Sequence, residues 1–102
     1  MSKEKTVYVS RDFELMMISA MRYAIGRQTY MPNVTIDYIR MLIPKLSTNT
    51  LYVMERDIRE EVDRYKRMES ELYMEREWVG LMNDINEAYK FKKAVEDGLE
   101  DV

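Results

Sequence analysis

Between Leu51 and Tyr65 the apolar residues fall at steps of three and four: Leu51, Met54, Ile58, Val62 and Tyr65. Only a helix gathers that spacing into one stripe, and charged residues fill the positions around it. Glu55/Arg59 and Glu60/Arg64 each set an acid four residues before a base, the order that supports an exposed helical surface. The same step recurs in Phe13, Met16, Met17, Ala20, Met21 and Ala24, and again in Trp78, Leu81, Met82, Ile85, Ala88 and Tyr89. A shorter segment carries Val34, Tyr38, Met41 and Leu42 on one side, widened by Ile39 and Ile43. With 3 Gly and 2 Pro in 102 residues, little interrupts these patterns. They predict an all-α fold, a small bundle of about four helices.

Punctuation sets the expected boundaries. Ser10 caps the first helix and Asp12 suits its positive end, while Gly26 ends it after Ile25. Asn33 caps the second helix, and Pro44 ends or kinks it. The cluster Ser47–Thr50 precedes a stretch from 49 to 92 without a proline, too long for one helix of a globular domain. A bend is therefore expected near 67–72, with Ser70 as a cap, so that the last two helices form an antiparallel hairpin. Residues 1–9 read as an extended lead-in, because "TVYVS" alternates, and 95–102 as a frayed acidic tail. The length is that of a single domain over 1–102.

Composition narrows function. The chain has no cysteine and no histidine, so thiolate chemistry, disulfides and the usual zinc ligands are excluded. A hydroxyl nucleophile lacks its customary base, and Gly26, Gly80 and Gly98 are too isolated to cradle a phosphate. No enzyme activity, metal or cofactor is expected. The longest apolar run, Leu15–Met21, is far short of a membrane span, and "MSKEKTVYVS" has no apolar signal core, so a cytoplasmic setting is expected. Net charge is −3, yet residues 1–50 carry 7 basic and 4 acidic side chains and residues 51–102 carry 9 and 15. Such asymmetry orients partners or favours self-association.

One stretch concentrates recognition chemistry: "AMRYAIGRQTY", Ala20 to Tyr30. Arg22, Tyr23, Arg27 and Tyr30 combine guanidinium forks with amphipathic rings, the residue types enriched where proteins bind proteins; Tyr38 and Arg40 extend the set. The plain reading is helix-ending geometry, in which a late arginine meets the negative helix end. Three functional readings follow: a surface for a protein partner, a basic corner for nucleic acid, or a self-assembling helical protein. The pI near 5.1 disfavours the second. Ten methionines either fill the core or line an adaptable binding surface. Met16, Met17, Met21, Met41, Met54 and Met82 fit the core.

The segment "MRYAIGRQTYMPNVTIDYIRMLIPKLSTNTL", with "REW" around Trp78, resembles a group of small proteins of phages and prophages of Gram-positive bacteria. Those proteins share an R-Y-A-x-G-R-x-T-Y core followed by a D-Y-I helix, and no activity is assigned to the group. The match is strongest at Arg22, Tyr23, Ala24, Gly26, Arg27, Thr29, Tyr30, Asp37 and Tyr38. The resemblance implies an accessory protein in an infected bacterial cytoplasm, of the kind that binds a host protein or host-defence factor. It assigns no role to any residue.

Overall fold

The Leu51–Tyr65 stripe does what its spacing requires. In the computed structural model, which describes residues 9–27 and 32–98, all five of its side chains are buried along α3, Thr48–Arg67. Ser47 caps α3, its hydroxyl accepting from the Thr50 N–H at 3.2 Å. Before it come α1, Arg11–Arg27, then α2, Pro32–Leu42, and a 3-10 turn, Ile43–Lys45; after it comes α4, Glu75–Glu96. The described residues form an all-α bundle without strands.

Directions follow from the cross-links. The Thr48 hydroxyl donates to Glu96 at 2.5 Å and the Tyr52 and Tyr89 rings meet at 5.9 Å, so the start of α3 lies beside the end of α4. These two form the expected antiparallel hairpin and pack more extensively than any other pair. Glu14 reaches Ser47 and Arg22 reaches Asp57, so α1 runs alongside α3 in the same sense. Arg40 meets Asp84 and Lys92 meets Pro44, so α2 accompanies α4. The bundle is up-down-up-down. One apolar cluster joins the helices, with Met21, Ile25, Ile36, Ile39, Leu46, Leu51, Met54, Ile58, Trp78, Leu81 and Ile85 almost wholly enclosed. Each such side chain contributes about 1.5–3 kcal/mol over its exposed state.

Polar latches hold the junction between the two halves. The buried Glu14 carboxylate accepts the Ser47 N–H at 2.7 Å, placing an anion at the positive end of α3. Lys92 donates from α4 to the carbonyls of Pro44 at 2.9 Å and Leu46 at 2.7 Å, which the 3-10 turn leaves free. Burial lowers the Lys92 pKa from its ordinary value, and the nearby Glu14 and Glu96 oppose that shift.

Several boundaries and faces differ from expectation. Ser10 does cap α1, accepting from Phe13 N–H at 3.1 Å, but Gly26 does not end it; the helix continues to Arg27. Packing of Ala24 and Ile25 into the core outweighs the poor helix propensity of glycine there. Asn33 is the second residue of α2, after Pro32, a residue suited to a first helical turn. Position 31, where a cap belongs, lies outside the described residues. Pro44 ends the α-helix as expected.

The hairpin turn spans 68–74, and Ser70 caps nothing. Met74 occupies the cap position of α4 in a left-handed conformation, φ 59°. The end of α3 closes with Ser70 N–H on the Tyr65 carbonyl and Glu69 N–H on the Lys66 carbonyl, both 3.0 Å. That bond pair wraps the chain over the helix end and forces Glu69 to φ 55°. Glu55 pairs with Arg59 as expected, whereas Arg64 takes Glu61 at 2.7 Å rather than Glu60. Val95 and Glu96, placed by sequence in a frayed tail, belong to α4. Of the lead-in, only Val9 is described; its N–H reaches the Lys45 carbonyl at 3.3 Å.

Candidate functional site

Arg22 leaves α1 towards α3. Its Nε donates to Asp57 Oδ2 at 2.6 Å, while Arg56 Nη2 reaches Oδ1 of the same carboxylate at 3.3 Å. Asp57 is buried, with 8% of its side chain exposed, and a charge in that position needs such partners. The hydrogen bond that Arg22 donates to Asp57 is also the main reason its pKa rises above the ordinary value, with burial acting against it. Arg22 braces one helix on another.

The other residues of the sequence-derived corner go elsewhere. Arg40, two residues beyond Tyr38, pairs with Asp84 on α4 at 2.7 Å, both partners remaining about half exposed. Tyr38 points instead to a groove between α1 and α2. Residues two apart on a helix point about 160° away from each other, which is why Ala20 lines that groove while Arg22 faces α3. Tyr23 is well exposed on α1. The Arg27 side chain and Tyr30 lie outside the described residues. Arg22, Tyr38 and Arg40 therefore do not share one surface.

The groove is the better-formed feature. Phe13, Met16 and Ala20 from α1 face Val34, Tyr38 and Ile39 from α2 across a space of about 330 Å³. Met16 is 61% exposed and Tyr38 53%, and Met41, one turn beyond Tyr38, is 74% exposed. By spacing alone, Met16, Val34, Tyr38 and Met41 belong to buried faces. Burial in α2 falls on Pro32, Ile36, Ile39 and the adjoining Ile43. A signal for this existed in the sequence. Residues 32, 36, 39 and 43 form one apolar arc and 34, 38 and 41 a second, and a short helix at the rim of a bundle buries only one. Met17, Met21 and Met54 are core, Met82 is partly buried, and Met16 and Met41 are surface.

Acid–base chemistry finds little purchase among the described residues. The buried carboxylates are Glu14, Glu55 and Asp57, and each is engaged: by Ser47, by Arg59, and by Arg22 with Arg56. No group of three or more potential metal-binding side chains occurs among them, nor a helix long and apolar enough to cross a membrane. No protein-family model matches the chain, and neither the curated proteins nor the solved structures contain a match.

Proposed function

We propose that this chain is a non-enzymatic accessory protein that works by binding another protein, with the α1–α2 groove as its contact surface. The observation that carries the reading is the exposure of Met16, Val34, Tyr38 and Met41 on one side of the bundle. Contiguous apolar surface of this kind marks interaction sites on proteins that otherwise bury such residues. Its composition supports an adaptable fit, since methionine reshapes easily and tyrosine adds area at small entropic cost. A trough between two helices suits the apolar face of a third, so the partner element is an amphipathic helix. The resemblance to phage and prophage proteins favours a partner in an infected bacterial cell, a host protein or host-defence factor.

Photo-crosslinking tests this reading. A crosslinking amino acid at position 38, in the groove, is compared with one at position 73, in the hairpin turn. The expected result is a partner captured from 38 and not from 73, with capture lost on Met16→Glu. Equal capture from both positions would defeat the proposal. Crosslinks only between copies of this chain would replace it with self-assembly.

A further inference from the structure

A second cavity, about 300 Å³, lies on the opposite flank of α1, against α3. Its walls differ from those of the groove. Arg22 and Arg56 stand at one end and Arg11 further along α1, with Leu15, Ile18 and Val53 between them. Among the described residues, no carboxylate lines this cavity. Asp57 sits behind the arginine pair, and its one negative charge is shared between two guanidinium groups. Glu60 and Glu61 lie beyond the pair and border a neighbouring cavity, and Glu61 is taken by Arg64. Towards the cavity, then, the arginine pair keeps a surplus of positive charge and of donors.

One donor stands out. Arg56 Nε is shielded from solvent and has no hydrogen-bond partner among the described residues. A donor closed to water is equally closed to a ligand oxygen, so the cavity meets this half-exposed guanidinium through its terminal nitrogens. Asn49 and Thr50, in the first turn of the 20-residue helix α3, complete the wall, and the positive end of that helix is already answered by Glu14.

The geometry points to a binding site for a small phosphate monoester, its dianionic head against Arg22 and Arg56 and its carbon body on Leu15, Ile18 and Val53. Two guanidinium forks match the charge and the oxygen spacing of a phosphate dianion. Asp57 holds both forks in place before the ligand arrives, which spares the ordering cost of binding. The apolar walls thin the water around the head and strengthen its attraction to the arginines. This site is separate from the groove and does not depend on the protein-binding reading.

Phenyl phosphate is a suitable probe, followed through the methyl signals of Leu15, Ile18 and Val53 by NMR. Saturable shifts at those methyls are expected, with Kd of about 1 mM or tighter. Arg56→Lys and Arg22→Lys each keep a cation beside Asp57 but remove the planar fork, and should weaken binding about tenfold with little change in melting temperature. Arg11→Gln, further from the head, should weaken it about twofold, and Tyr38→Ala should leave it unchanged. The assignment falls if phenyl phosphate gives no saturable shift, if the shifts centre on the α1–α2 groove, or if both lysine variants bind like the parent. A phosphoserine peptide binding at least about tenfold tighter than phenyl phosphate would move the site from a small ligand to a modified protein.

Discussion

The α3–α4 pair and the α1–α2 pair are made of the same element, yet they dispose of their apolar residues differently. α3 has one narrow stripe, a charged remainder and a single way to face the core. α2 has two apolar arcs and buries one. The first pair supplies the most extensive packing of the bundle, and the second leaves methionine and tyrosine on its surface. The lesson is that a second apolar arc adds nothing to the fold of an isolated chain. It stays at the surface, where it is available for the contact proposed for the groove.

The sharpest way to break this contrast is to truncate one large side chain on each side of it. Trp78 is 1% exposed on α4, and Trp78→Ala should destabilise the protein by about 3–5 kcal/mol in urea or thermal unfolding. Tyr38→Ala in the groove should cost less than about 0.5 kcal/mol. Comparable losses would mean that the groove is part of the core, and the division between the two pairs would fail.

A smaller effect sharpens the account of the hairpin. Glu69 adopts φ 55° where glycine is at ease, so Glu69→Gly should stabilise the protein by about 0.5–1 kcal/mol. Denaturant midpoints measure this; a loss of stability would show that the Glu69 side chain matters more than its backbone.

The smallest effect concerns the latch between the pairs. Lys92 has a folded-state pKa below its ordinary 10.5, so the unfolded chain holds its proton more firmly. Stability contributed at this position therefore rises as pH climbs from the folded value towards 10.5. The difference in stability between the parent protein and Lys92→Met should shift in favour of the parent over that interval. A difference that stays flat or moves the other way would contradict the burial of this ammonium.

What the sequence disclosed tracks the same division. The stripes of α3 and α4 were legible from their three- and four-residue spacing, and a helix start near 47–50 because polar capping residues cluster there. Gly26 misled because its local preference is weak beside the packing of Ile25. In α2 the burial of Ile36 and Ile39, instead of Val34 and Met41, depends on where α1 and α4 lie, which no periodicity records. The Arg22–Asp57 contact joins residues 35 positions apart and was equally out of reach. The arginine-rich stretch was recognisable as unusual. That Arg22, Tyr38 and Arg40 face different ways was not.

The cluster in which Glu14 grips Ser47 and Lys92 grips the carbonyls of Pro44 and Leu46 has a consequence for synthesis. Three widely separated parts of the polypeptide meet there, and the last to leave the ribosome is position 92. A nascent chain can form α1, α2 and α3 and still lack both the ammonium that closes the turn and the helix that shields the α3 stripe. Completion of the bundle thus waits for α4, and until it docks the α3 stripe is covered only on the side that α1 packs against.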